Sequence, residues 1–155
     1  MSHRTTIDRK SERELIVTRT FDAPPRLVFE AWTTPALMKQ WWAPKSIGVP
    51  LLGCEMDVRT GGGYRLVFGR DASESMAFVG QYLEVSPPSR LVWTNEEEED
   101  GAVTTVTFED KDGKTLLTVL ETYPSKAALE KGRGAEEGMP EQFAQLDALL
   151  ATLGG

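Results

Sequence analysis

Few residues in this chain combine the type and the surroundings that chemistry needs. The strongest polar candidate is Glu121, which shares strand parity with Leu117 and Val119 and so points to the same side as two apolar residues. A carboxylate among apolar neighbours acts as a general base when burial raises its pKa. Arg59 and Arg65 are further charged candidates, with a solvated outer face as the plainer expectation for each. Cys54 is the one cysteine, and a nucleophilic role would require an adjacent base. The one histidine, His3, stands in a polar terminal stretch, so Cys54 reads instead as a small apolar strand residue. The same scarcity argues against a His-rich metal site, and no two carboxylates share one expected strand face. No catalytic residue, metal or cofactor is therefore assigned.

The elements that would position these groups follow from periodicity. Residues 1–12 read as a disordered lead-in and 13–155 as a single domain. Leu15, Val17 and Arg19 alternate with Ile16, Thr18 and Thr20 as one strand, ended by Phe21. Asp22-Ala23-Pro24-Pro25 opens a short helix carrying Leu27, Val28, Ala31 and Trp32, with Asp22 as the expected cap. Thr34-Pro35 restarts a second helix that ends at Trp41-Trp42; two adjacent indoles cannot both face one core from a helix, so one is expected to point elsewhere.

Residues 43–50 form a loop, and six strands follow in a meander: Leu51–Arg59, Tyr64–Gly69, Met76–Val85, Leu91–Asn95, Val103–Glu109 and Thr115–Thr122. Gly61-Gly62-Gly63 marks a tight turn and Asp112-Gly113 a two-residue hairpin. The run Glu96–Asp100 is an acidic loop tip. A helical reading begins at Ser125 and weakens over Gly132–Gly134 and at Gly138. Met139, Phe143, Leu146, Leu150 and Leu153 then fall on one face of a final helix. At ~22 Å that helix is long enough to lie across a sheet.

This order predicts an α+β fold in which a seven-stranded, strongly twisted antiparallel sheet curls around the final helix. Because a helix is only ~10 Å wide, such a sheet leaves room for a cavity. Its candidate lining is Met56, Tyr64, Leu66, Phe68, Met76, Phe78 and Trp93 from the strands, Phe143 and Leu146 from the helix, Glu121 as the polar group, and Trp42 at the mouth. Taken singly, each of these side chains is more often an ordinary core residue, and the cavity reading rests on the group.

Composition narrows the function classes. The chain has 155 residues, 40% hydrophobic and 26% charged, with a formal net charge of -7. That charge repels phosphate backbones and disfavours nucleic acid as a partner. No apolar run approaches the ~20 residues of a membrane helix. The polar start lacks the apolar region of a secretory signal, and a single cysteine suits a reducing cytoplasm.

The segment from Thr20 to Trp32 resembles the opening of the START-like (SRPBCC) superfamily. Within it, Thr34-Pro35-Ala36-Leu37-Met38-Lys39-Gln40-Trp41-Trp42 and Asp57-Val58-Arg59-Thr60-Gly61-Gly62-Gly63-Tyr64-Arg65 resemble the AHSA-type group, as do Gly80–Val85, Pro88–Trp93 and the final helix. That group is named for similarity to the activator of the heat-shock-protein-90 ATPase. The resemblance implies a helix-grip fold with an internal cavity, and the superfamily includes carriers of hydrophobic ligands, cyclases, hydrolases and chaperone partners. It supplies no shared catalytic triad. Many relatives carry a Trp after a Gly near the start of the last helix, where this chain has Gly138-Met139.

Three functions compete. The clustered Met and aromatic positions fit binding of an apolar or amphipathic small molecule, the preferred reading. A cyclase or hydrolase would use Glu121 as its base. A chaperone-associated interaction protein would use the acidic tip to dock a basic surface. Exposed sheet edges and the Trp pair would allow a homodimer, which nothing in the sequence demands.

Overall fold

A computed structural model describes residues 5–42, 51–69, 75–96, 101–131 and 139–153, without the side chains of residues 75, 76 and 131. In chain order the elements are β1 (Thr6–Arg9), β2 (Glu14–Phe21), α1 (Pro25–Thr33), α2 (Pro35–Trp41), β3 (Leu51–Met56), β4 (Gly63–Gly69), β5 (Ser75–Ser86), β6 (Arg90–Thr94), β7 (Val103–Lys111), β8 (Lys114–Thr122), α3 (Lys126–Lys131) and α4 (Met139–Leu153). The strands form one curved antiparallel sheet ordered β1-β2-β8-β7-β6-β5-β4-β3. Alternation decides what each strand buries: in β2, Leu15, Val17, Arg19 and Phe21 are buried while their neighbours are not. The same period places Thr104, Val106 and Phe108 of β7 and Thr115, Leu117 and Val119 of β8 on the inner side.

Among the described residues, eight strands stand where seven were expected. Thr6–Arg9, within the segment read as a disordered lead-in, pair with β2, with Ile7 opposite Val17. A four-residue polar strand has no legible period of its own; it forms because β2 offers a free edge and Ile7 packs against the core.

The expected helix caps also differ. Neither α1 nor α2 has a side-chain cap; Pro24 and Thr34 occupy the N-cap positions, and prolines fill the first turns. Proline lacks one of the donors a cap would satisfy, so the carbonyls of Pro24 and Thr34 suffice to start each helix. Asp22 pairs instead with Lys114 at 3.3 Å. In α3 the hydroxyl of Ser125 accepts the Ala128 N–H at 3.1 Å, as a cap should.

The turn chemistry holds, with one change of extent. Asp112 (φ 56°) and Gly113 (φ 86°) make the two-residue β7–β8 hairpin. The expected strand Leu51–Arg59 ends at Met56, and 57–62 fold into a turn closed by Asp57 N–H to Gly63 O at 2.8 Å. Gly62 is required there, because a Cβ would lie 2.1 Å from the Asp57 carbonyl. Gly61 N–H and Gly62 O then bond the backbone of Tyr82, tying the turn onto β5.

The final helix occupies the expected span and face: Phe143, Leu146, Leu149 and Leu150 are buried. It is pinned to β2 by Phe143 against Phe21, ring centroids 5.7 Å apart, and by Asp147 paired with the 6%-exposed Arg19 at 3.1 Å. Gln145 Nε2 donates to Trp41 O at 3.0 Å and Gln142 Nε2 donates to Trp42 O, which fixes α2 against the same helix.

Candidate functional site

Burial on the inner face is uneven. Beneath the helices, Val17, Phe21, Val106, Leu117 and Val119 are sealed from solvent. On the other half of the sheet, Met56, Tyr64, Phe68, Phe78 and Trp93 pack against the same core yet stay half-buried. Their inward placement follows from register, since Met56 opposes Tyr64, Leu66 opposes Phe78 and Tyr82 opposes Trp93. Leu66, Phe143 and Leu146, also expected in the lining, are fully buried members of the core. Met76 stands opposite Phe68 in the strand pairing, and its side chain lies outside the described residues.

Between the two halves sits an aromatic cluster centred on Trp32, which is 3% exposed. Its ring centroid lies 4.8 Å from Trp41, 5.9 Å from Trp42, 5.9 Å from Trp93, 6.1 Å from Phe108 and 6.4 Å from Phe143. Trp41 is wholly buried and its indole N–H donates to Ala31 O at 3.0 Å. Trp42 is half-buried beside it. The expectation that one indole of the pair would leave the core is corrected: Trp42, still helical at φ -65° and ψ -41°, is half-buried, and both rings meet Trp32.

A string of hydrogen bonds crosses the open half. The Tyr64 hydroxyl donates to Thr94 O at 2.7 Å and lies 3.4 Å from Asn95 Oδ1. Asn95 Nδ2 donates to Thr104 Oγ1 at 2.9 Å, and Thr104 Oγ1 donates to Glu121 Oε1 at 3.2 Å. Thr104 is 2% exposed, so this bond serves a buried hydroxyl. Glu121 thus sits on the inner side at the end of β8, between Leu15 and Thr104 in the sheet. Gly80 opposes Tyr64, and its missing side chain gives the phenol room to reach across to Thr94.

Cys54 is part-buried on this face, with its sulfur 3.4 Å from that of Met56. Burial raises its thiol pKa above 9.0, against a smaller lowering by Lys39. Burial also raises the Tyr82 phenol well above 10.0, with Cys54 adding to the shift. Both groups are neutral when protonated, and the unfolded chain releases each proton first. The stability these two groups contribute is therefore full below pH 9.0 and is lost as pH rises from 9.0, and further from 10.0, through the folded-state values. A thermal melt series from pH 7 to 11 should show that decline, and iodoacetamide at pH 8 should alkylate the native thiol more slowly than the denatured one.

Other expected groups lie elsewhere. Arg59 is 72% exposed and pairs with Asp57 at 2.9 Å, and Arg65 is exposed on the outer face. Of the acidic tip, residues 97–100 lie outside the described residues, and Glu96 is exposed, its N–H bonded to Val79 O. Among the described residues, no three His, Cys, Asp or Glu side chains are grouped to hold a metal ion. No described helix is long and apolar enough to cross a membrane.

Sequence reasoning missed Trp32, Trp41, Phe108, Tyr82, Asn95 and Thr104 as site residues. Trp32 carried a signal, its helical spacing with Val28, but that spacing marks a buried face without saying what else borders it. Thr104 shares parity with Val106, a polar residue on an apolar stripe, and was legible on the same rule as Glu121.

The family model described as Activator of Hsp90 ATPase homolog 1-like protein matches residues 22–151. A crystal structure of a Rhodobacter sphaeroides protein is 26% identical, with TM-score 0.87, covering 97% of this chain and 99% of its own. A Nitrosomonas europaea protein is 25% identical, with TM-score 0.80 over 93% of this chain and 97% of its own. An AHSA1-like protein of Aeromonas hydrophila shares the fold at 19% identity and TM-score 0.68, over 86% of this chain and 92% of its own. No curated protein matches the chain.

Proposed function

The chain belongs to the family of Activator of Hsp90 ATPase homolog 1-like proteins, within the START-like superfamily, and from that premise we propose that it binds an apolar or amphipathic small molecule on the inner face of its sheet. The observation that carries this reading is the half-burial of Trp42, Met56, Tyr64, Phe68, Phe78 and Trp93, side chains turned toward the core. A filled core would bury them as completely as it buries Val17 and Leu117. Apolar area left accessible on an inward-facing surface is what a ligand covers, and each Å² covered contributes about 25 cal/mol.

The string from Tyr64 to Glu121 supplies the few polar groups that orient a ligand on an otherwise apolar wall. The binding half lies away from Phe21 and Val17, so the ligand would rest on the fold without replacing part of it.

Native mass spectrometry of the purified protein, followed by organic extraction, tests the reading. The expected result is a co-purified small molecule, or, for a clean apo mass, a raised melting temperature and altered Trp fluorescence with an aromatic or lipid-like panel. A clean mass with no response to any of the panel would sink it.

A further inference from the structure

The helix α2 is loosely seated. Of its seven residues it buries Met38 and Trp41, whereas α1 buries Leu27, Val28, Phe29, Ala31 and Trp32. A helix this short gains little from its own hydrogen bonds, so contacts with its neighbours decide whether it stays wound. It packs between α1, β3 and α4, and so spans from the final helix to the edge strand of the open half of the sheet.

The two indoles at its end are held in different ways. Trp41 is sealed: its ring is fully buried, lies 4.8 Å from Trp32 and donates to Ala31 O at 3.0 Å. Trp42 is half-buried; its backbone N–H closes the last turn on Met38 O at 3.0 Å, and its carbonyl accepts the Gln142 amide. A carbonyl at a helix C-terminus has no partner within the helix, so a donor from another element holds that turn shut. Gln145, one turn further along α4, makes the same kind of bond to Trp41 O at 3.0 Å. Both glutamines are half-buried, at a boundary where water takes over a released amide at little cost.

Resting on the ligand-binding reading above, we propose that Trp42 is a gate to the inner face of the sheet, latched by Gln142 and pivoting on Trp41. When the Gln142 bond and the Trp42 N–H bond to Met38 O release together, the last turn of α2 unwinds. The half-buried indole then leaves the ring cluster while the sealed one stays. Trp42 lies 5.9 Å from Trp32, which in turn lies 5.9 Å from Trp93, so its departure uncovers the cluster beside the accessible half. Gln142 is a positioning residue here: it sets how often the face is open, not how tightly the face binds. The latch is the same with and without ligand, so it cancels from Kd and remains in both rates.

Hydrogen exchange and binding kinetics test the gate. Gln142→Met keeps the side-chain length and the helix propensity and removes the donor. Exchange of the Trp42 backbone amide should accelerate about fivefold, the factor that one ordinary hydrogen bond sets, with the amides of β7 and β8 unchanged. The Trp41 indole N–H should keep its protection. Gln145→Met, which frees the carbonyl of the anchored residue, should leave Trp42 exchange within about twofold of the parent. With Nile red as the probe, stopped-flow fluorescence should show association and dissociation both about fivefold faster in Gln142→Met, at unchanged Kd. A residue that merely supported the fold would shift Kd or the β7 and β8 amides instead. If the variant does not fold, the parent decides: its Trp42 amide must exchange by local opening, faster than those of β7 and β8. Trp42 exchange that is unmoved by Gln142→Met, or that keeps step with β7 and β8, overturns the gate and leaves the ligand-binding reading standing. Faster exchange with unchanged probe rates overturns it equally. A probe that does not bind also overturns it; joined to a clean native mass and an unresponsive panel, that result removes the underlying reading as well.

Discussion

Phe143→Ala should lower the stability by about 3–5 kcal/mol. Phe143 is 2% exposed, meets Phe21 edge to face at 5.7 Å and lies 6.4 Å from Trp32. It is therefore the side chain through which α4 touches both the sheet and the aromatic cluster. Alanine removes the buried ring and leaves a void bordered by Phe21 and Trp32, rings too rigid to collapse into it. For a domain of this size the loss corresponds to a melting temperature lower by roughly 6–20 °C. Urea unfolding at constant m checks it, with Ala148→Ser on the exposed face of the same helix as the control, expected within about 0.5 kcal/mol of the parent. A loss below about 1 kcal/mol for Phe143→Ala would mean that α4 is not seated on the sheet as described.

Gly80→Ala should cost about 3 kcal/mol, although it adds a single methyl group to a strand. The new Cβ would lie 2.0 Å from Thr94 O and 2.8 Å from the Tyr64 hydroxyl. The first obstacle is backbone, so β5 and β6 must part where Tyr64 bonds Thr94. Tyr64→Phe removes only the hydroxyl and should cost about 1 kcal/mol. The double variant Gly80→Ala/Tyr64→Phe should remain about as unstable as Gly80→Ala, since the clash with Thr94 persists. Denaturant melts of the three proteins decide, and rescue in the double variant would place the conflict at the phenol instead. Any ligand held by the Tyr64 string should bind Gly80→Ala more weakly, because the phenol that begins the string is displaced.

Most elements were legible because their signals are local. Period two in Glu14–Phe21, the Asp112-Gly113 pair and the four-three spacing of Met139–Leu153 each describe neighbours along the chain, and each element formed where expected. Thr6–Arg9 was not legible, since its pairing partner rather than its own residues makes it a strand. The cap expected at Asp22 failed for a related reason: Pro24 takes the N-cap position of α1, and the proline of the first turn had already reduced the donors to be satisfied.

Parity also told which side of the sheet the candidate lining faces. Leu66, Phe143 and Leu146 did turn inward, but parity says which side a residue faces and nothing of whether that side is covered. The placement of α4 over β2, through Phe21 and Arg19, decided that Leu117 is sealed while Trp93 remains half-buried. Likewise Tyr64, Asn95, Thr104 and Glu121 are 57 positions apart at their extremes, 121 less 64, and become one string only through the successive pairing of β4, β5, β6, β7 and β8.

The sequence by itself determined the curled antiparallel sheet, the helix across it and the family. These depend on side-chain period, turn residues and composition, which act over a few residues. Only the tertiary structure decided that Trp32 stands at the centre of the aromatic cluster. That depends on where α1, α2, β6, β7 and α4 converge, and which rings meet there is a property of the space between elements, which no spacing along the chain encodes.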